Sequence, residues 1–138
     1  MGFKLKVSGG PGSIELDETI VTSIRMISDT PDDSNARSND LGIGLEVKGR
    51  IIAEEINGDQ TLSLSKWSVI PVEDATCYGQ VQADYIHAGV TVRSIAMPNA
   101  FVVSYKEHFD NDTGVGYFDM LLRQKKDRNK DYTCTGNF

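Results

Sequence analysis

Residues 99–127 read NAFVVSYKEHFDNDTGVGYFDMLLRQKKD and contain two runs with strand periodicity around a turn. In the first run, Phe101, Val103 and Tyr105 alternate with residues of the other face. In the second, Phe118, Met120 and Leu122 do the same, and the intervening DNDTG is typical of a turn. The stretch therefore predicts a β-hairpin. Both of its faces are partly apolar, so one face needs a core and the other can pack against a neighbour.

Length and composition describe an ordinary globular chain. The 138 residues fit one domain, 1–138, and 39% hydrophobic with 25% charged residues is typical of a folded protein. A formal net charge of -6 argues against direct nucleic-acid binding. No apolar run is long enough for a membrane helix, which predicts no membrane insertion. The basic cluster at 123–130, RQKKDRNK, is interpreted as a solvated strand end.

The first ten residues, MGFKLKVSGG, alternate like a strand and lack the apolar core of a signal peptide. We therefore expect the protein to start in the cytoplasm. Cys77 and Cys134 lie far apart in the chain and do not form a metal-type pair. In a reducing compartment both are expected to be free thiols.

Further strands are predicted at residues 3–7, 13–28 (with an irregularity near Asp17), 41–47, 81–85 and 90–92. One short helix is predicted at 61–70, where Trp67 follows Leu64 by three positions and Pro71 ends the run. The tail, 131–138, is polar and expected to be flexible. The fold class is therefore all-β: two packed antiparallel sheets forming a β-barrel or sandwich, with one short α-helix.

The longest polar tract, residues 29–40, reads DTPDDSNARSND and contains a single apolar residue, an alanine. Such a loop is unusual inside a compact domain and is often functional. An extended arm that orders on meeting a partner and a mobile surface loop are both open interpretations. A calcium site at Asp32, Asp33 and Asp40 is a weaker one, because the spacing matches no known calcium loop.

No chemical site is predicted. His87 and His108 are interpreted as surface or edge histidines, since a metal site needs more ligands than one histidine and scattered acids. The DNDTG turn begins like a calcium loop but has its glycine one position early and lacks the later glutamate. Phosphate-loop, dinucleotide and Ser/His/Asp signatures are missing from the sequence. We therefore expect no catalytic, cofactor-binding or metal-binding residues, no cofactor, and no enzyme.

The order of elements resembles a known family. Lys66-Trp67 in the helix and residues 100–105 with Glu107, Phe109 and Asp110 in the hairpin strand are similar to the Hcp tube proteins of type VI secretion systems. Phage tail-tube proteins share that family fold. The resemblance implies a β-barrel of two sheets with a helix at its side. It covers most of the chain, although the Gly-Gly-Pro-Gly insertion and the ending from residue 128 depart from it.

The resemblance also implies a function. Homohexameric rings would stack into the inner tube of a contractile injection machine, contact sheath, baseplate or spike proteins, and pass effector cargo before being expelled. The inter-ring arm would contain Asp32, Asp33, Asn35, Arg37, Asn39 and Asp40. The core and family-motif residues would be Trp67, Phe101, Val103, Tyr105, Phe109, Phe118, Met120 and Leu122.

Three alternatives stay open. The chain could be a monomeric β-sandwich module that binds a carbohydrate or protein ligand through aromatics such as Tyr78, Tyr85, Tyr117 and Trp67. It could be a phage tail tube protein that conducts DNA. It could also be a small barrel enzyme using carboxylates alone, for which the sequence offers no acid pair with a defensible spacing.

Overall fold

The computed structural model describes residues 2–30, 41–51, 60–71, 73–111, 116–125, 128 and 131–136. The prediction of a mainly β fold with one short helix is confirmed. The helix, α1, spans Gln60–Ser68, and a 3-10 turn follows at Ala75–Cys77. The strands are β1 (Gly2–Gly9), β2 (Ile14–Leu16), β3 (Val21–Asp29), β4 (Gly42–Ile51), β5 (Gly79–His87), β6 (Val90–Phe109), β7 (Gly116–Gln124) and β8 (Thr133–Gly136).

All eight strands belong to one antiparallel sheet. Its order is β2-β1-β5-β6-β7-β4-β3, and β8 pairs with β6 beside this path. The two packed sheets of the prediction are joined, within the described ranges, into one continuous hydrogen-bonded sheet that does not close into a barrel. The long strand β6 joins the two halves, because its first half pairs with β5 and its second half with β7. A strand of 20 residues can serve both neighbours in turn.

The sheet curls around one core. β1 and β3 approach each other, although four strands separate them in the sheet order. Alternate residues of the strands point inward, as the period of two requires. The helix α1 lies against β2 and β6 and adds Leu64 and Trp67 to the core. The largest fully buried side chains are Trp67, Leu5, Ile14, Leu16, Leu45, Leu64, Met97, Met120 and Leu122.

The predicted strand at 13–28 is two strands, β2 and β3, separated by a turn at Asp17. Its carboxylate Oδ1 accepts hydrogen bonds from the Thr19 amide at 2.9 Å and the Thr19 hydroxyl at 2.5 Å. An aspartate that bonds its own backbone two residues on is a common turn device. The irregularity expected near Asp17 is therefore a turn, and the two strands that it connects lie at opposite ends of the sheet order.

The predicted strands at 90–92 and from residue 99 are one strand, β6, which continues through Pro98. The register with β5 shifts between the pairs Val81–Met97 and Gly79–Ala100, so β6 carries an extra residue there. Proline lacks an amide donor and is tolerated in strands at such bulges. Strand β6 thus continues past Pro98, a residue that would otherwise interrupt the pairing.

The tail also differs from expectation. Residues 133–136 form β8, which pairs with residues 93–96 of β6, instead of being flexible. Strand pairing satisfies the backbone hydrogen-bonding groups of this segment, although all four of its side chains are exposed.

The helix ends at Ser68, two residues before its predicted end at Ile70. Neither this helix nor any other in the described ranges is long and apolar enough to cross a membrane.

Candidate assembly surface

Four strand segments form one wall of the molecule: β3, β4, β7 and residues 101–109 of β6. We call this unit the four-strand wall. Each neighbouring pair within it is antiparallel. With four strands, the first and last therefore run in opposite directions. β3 and the second half of β6 are the two borders of the wall.

Among the described residues, no further strand pairs with either border of the four-strand wall. Within the described chain, β3 pairs with β4 alone, and residues 101–109 of β6 pair with β7 alone. A strand border with hydrogen-bonding groups directed outward is a template for another strand. The two borders lie at opposite ends of the wall, so they can serve two different neighbours.

The wall has one core face and one outer face. Ile43, Leu45 and Val47 of β4 point into the core, as do Phe118 and Met120 of β7. The outer face carries the residues between them, and cross-strand register aligns these in rows. One row is Ser23, Lys48, Asp119 and Lys106, and the next is Arg25, Glu46, Leu121 and Ser104.

Charges on this outer face are mixed in sign, with a positive surplus. The basic residues among the described ones are Arg25, Lys48, Arg50, Lys106 and Arg123, and the acidic ones are Asp29, Glu46 and Asp119. Lys48 Nζ lies 3.4 Å from Glu46 Oε1. The surplus stands out because the chain as a whole has a formal charge of -6.

Apolar side chains flank both borders. Beside the β6 border, Val103 and Phe109 are 44% and 64% exposed. Beside the β3 border, a cavity of about 370 Å³ opens between β3 and the strands β1, β5 and β6. It is lined by Phe3, Ile24, Met26, Tyr85, Val92 and others. Exposed apolar groups next to an open strand border are typical of contact surfaces.

The residues predicted as core and family motif divide into two groups. Trp67, Phe118, Met120 and Leu122 are buried, and Tyr105 packs on the core with its ring stacked on Phe118 at 6.3 Å. Phe101 is half-buried on the outer side, where it meets the ring of Tyr78 edge-on.

Val103 and Phe109 differ from the core prediction. Val103 occupies a bulge, because the register of β6 with β7 shifts between Val102 and Ser104. A bulged residue has no partner directly opposite and loses the regular alternation of faces. Phe109 lies opposite Gly116 at the end of the hairpin and covers that glycine, so most of the ring stays in solvent.

The predicted inter-ring arm lies outside the described residues. This applies to Asp32, Asp33, Asn35, Arg37, Asn39 and Asp40, and therefore also to the possible calcium site among them. Part of the DNDTG turn, residues 112–114, is outside as well. Among the residues that are described, no group of three or more His, Cys, Asp or Glu side chains could hold a metal ion.

The remaining candidates are placed as follows. His87 and His108 are exposed residues near the ends of β5 and β6. Of the aromatics proposed for ligand binding, Trp67 is in the core, and Tyr85 packs beside Phe3 with ring centroids 5.3 Å apart. Tyr78 contacts Phe101 and the ammonium of Lys125. The candidates are dispersed, so they do not make one aromatic ligand platform.

Sequence reasoning missed the outer face as a unit. In the sequence, the polar residues of β3, β4 and β7 are recognisable only as the alternating partners of apolar ones. Their alternation was the available signal, but strand order and register are needed to show which of them become neighbours.

No protein-family model matches the chain, and no curated protein matches it. The solved structures do provide matches, and they define the class of fold: an Hcp-like tube fold, as the sequence resemblance implied. Because identities are 10–14%, these similarities establish the fold and leave the function to be argued from the molecule.

Three of these solved structures show the kinds of protein that the chain is similar to. The chain is similar to Hcp1 from Flavobacterium johnsoniae, with TM-score 0.59 and 12% identity over 99% of this chain and 97% of that one. It is similar to a chain of the anti-feeding prophage baseplate, with TM-score 0.56 and 14% identity over 98% and 93%. A chain of the sheath-tube complex of the PVC extracellular contractile injection system matches with TM-score 0.54 and 10% identity over 99% and 89%.

Proposed function

We propose that the protein is a structural subunit that assembles head to tail into rings, which stack into the inner tube of a contractile injection machine. The observation that carries the proposal is the pair of open borders, β3 and residues 101–109 of β6, at opposite ends of one four-strand wall. The resemblance to Hcp proteins and to components of contractile injection systems supports it.

The strand directions suit such a joint. β3 and the second half of β6 run in opposite directions within one subunit. If copies are related by rotation about one axis, the β6 border of one copy meets the β3 border of the next in antiparallel fashion. The joint is heterologous and closes if the rotation closes. Ring closure would then remove both borders as sites of aggregation.

Six copies is the number that the Hcp resemblance implies. With four strands each at ~4.8 Å spacing and a tilt of ~40°, the inner wall would be roughly 48 Å across. The outer face of the wall would then face the lumen, because the rest of each subunit lies on the core side. β1, β2, β5 and α1 need the larger circumference outside the ring.

The role under this proposal is mechanical, with no reaction to catalyse. Sheath, baseplate or spike proteins and effector cargo would be the partners, and the tube would be assembled in the cytoplasm and then expelled.

The arm at residues 29–40 is proposed to reach an adjacent ring. Deleting residues 35–40 should leave the fold and the ring intact and impair stacking. Unchanged filament formation by that deletion variant would contradict the role of the arm.

Negative-stain electron microscopy with light scattering tests the ring directly. We expect particles of six times the subunit mass of 15.2 kDa, alone or stacked. Val103→Lys, at the β6 border, should prevent ring formation, because a lysine on a strand border opposes pairing. Val90→Lys is the matched control, since Val90 is 45% exposed against 44% for Val103 and lies at the β5–β6 turn.

Both variants should unfold within ~0.5 kcal/mol of the wild type, since both sites are exposed. Rings formed equally well by both would contradict the β6 border as a joint. A wild-type protein that stays monomeric at high concentration would contradict spontaneous ring formation and favour a monomeric binding module.

A further inference from the structure

We propose that the outer face of the four-strand wall binds acidic protein surfaces, so that the tube retains cargo proteins with a negatively charged patch. This inference rests on the proposed tube function, which makes the outer face the lumen wall. It goes further by assigning a chemical class to the cargo. The occupant is a folded protein, and its acidic surface is the feature that is recognised.

The charge on the face is the first observation. Among the described residues, five basic side chains and three acidic ones are distributed over it, a surplus of two positive charges in a chain of formal charge -6. The described part of this face is therefore net positive in a protein that is acidic overall. Clefts lined mainly by one sign of charge, with walls of low dielectric constant, focus the potential and attract opposite charge.

One cation of the face, Lys48, forms an ion pair with Glu46 on the same strand. Lys48 and Glu46 lie 3.4 Å apart, and their side chains are 50% and 26% exposed. The Lys48 side chain is thus the more exposed member of the pair. In the adjacent strand, Asp119 lies in register between Lys48 and Lys106, so two cations flank one carboxylate. The Cβ atoms of such directly opposite cross-strand residues are about 5 Å apart.

The mixture of signs favours a protein over a nucleic acid. A polyphosphate chain presents negative charge at regular close intervals and would meet Glu46, Asp119 and Asp29 as well as the cations. A protein surface with an acidic excess can place its own basic residues opposite those carboxylates. In a ring, the same pattern would repeat at every subunit, and weak contacts would add through multivalency.

Co-sedimentation with assembled tubes tests the proposal. The probes are two charge variants of one small helical-bundle domain, one with net negative and one with net positive charge, each narrower than the lumen. At ~20 mM salt we expect tubes to retain the negative variant roughly three- to tenfold more than the positive one. The preference should be lost by ~0.5 M salt, because screening removes interactions between exposed charges.

Charge reversal assigns the effect to this face. The double variant Lys48→Glu/Arg123→Glu changes residues on the inner strands β4 and β7, so both borders keep their sequence. Tubes of this variant should retain the positive domain more than the negative one. The matched control, Lys4→Glu with Lys6→Glu, makes the same change in charge on β1, outside the wall, and should keep the preference for the negative domain.

Electron microscopy of the same samples separates the two hypotheses. Tubes without a preference for the negative domain, or a control that loses the preference equally, would overturn the acidic-cargo inference alone. Tubes that retain a 20-base-pair DNA duplex more strongly than the negative domain would overturn the assignment to proteins. If the wild-type chain forms no rings, the proposed tube function fails, and this inference fails with it.

Discussion

The indole Nε1 of Trp67 donates a 2.7 Å hydrogen bond to the backbone carbonyl of Cys77, and both groups are buried. This bond joins α1 to the 3-10 turn that leads into β5. A Cβ atom at Gly79 would lie 3.1 Å from the Trp67 ring, so the missing side chain lets the indole approach the start of β5. A nine-residue helix is marginal by itself, and this contact helps to hold it against the sheet.

Trp67→Ala should lower the free energy of unfolding by about 3–5 kcal/mol, because it removes a large buried side chain and its cavity cannot fully collapse. Trp67→Phe should cost about 1–3 kcal/mol, because the carbonyl of Cys77 loses its donor. Urea denaturation followed by circular dichroism measures both. The control is Leu62→Ala on the exposed side of the same helix. Wild-type stability of Trp67→Ala would show that the helix does not dock as described.

Gly49→Ala should destabilise the protein by about 1–3 kcal/mol through overpacking. An added Cβ would lie 2.5 Å from the carbonyl oxygen of Ile20 and 2.6 Å from the ring of Phe118, and the first of these is backbone that cannot give way easily. Gly42→Ala on the same strand is the control, since its nearest contact would be an ordinary 3.6 Å. Thermal unfolding gives the melting temperature of each variant. Equal melting temperatures for Gly49→Ala and Gly42→Ala would contradict the close approach at Gly49.

The turn at Asp17 gives a pH-dependent contribution to stability. The hydrogen bond from the Thr19 hydroxyl, aided by backbone amides, lowers the pKa of the Asp17 carboxyl below its ordinary 3.8. Because the folded pKa is depressed, the contribution is present above the unfolded pKa and is lost as the pH falls through the folded value. The stability difference between wild type and Asp17→Asn should therefore be largest near neutral pH and shrink below pH 3.8.

Denaturant titrations from neutral pH to about pH 2.5 measure this difference. Asparagine keeps the side-chain oxygen as acceptor and removes only the titration. Thr19→Val removes the hydroxyl donor and should reduce the same pH dependence. Asp74, which accepts bonds from Thr76 and also has a lowered pKa, is present in every sample and cancels in the comparison. A difference that stays constant with pH would refute the role of Asp17.

The two cysteines should react at very different rates with a thiol reagent. Cys77 is buried, and this burial, with the nearby carboxylates of Asp74 and Glu73, raises the pKa of its thiol, so little reactive thiolate is accessible. Cys134 on β8 is exposed. One thiol per chain is expected to react rapidly in the native protein, and the second is expected to react only on unfolding. In Cys134→Ser the fast phase should disappear, whereas two fast thiols in the wild type would place Cys77 at the surface.

Much of the fold follows from local pattern. The alternation in residues 99–127 located the β6–β7 hairpin, and Leu64, Trp67 and Pro71 located the helix to within two residues of its end. The bulge at Val103 and the pairing of β8 were missed, because both depend on which residues of another strand lie opposite. The family resemblance implied that Phe109 is a core or motif residue, but with Gly116 as its opposite partner the ring stays in solvent.

The sequence by itself determined the local conformations, since alternation of apolar residues, turn chemistry and proline act over a few neighbouring positions. Only the tertiary structure decided that β3 and the second half of β6 border the same wall, and that Lys48, Asp119 and Lys106 share one row. The physical reason is that strand order and register are set by burial of all eight strands together, which no single segment encodes.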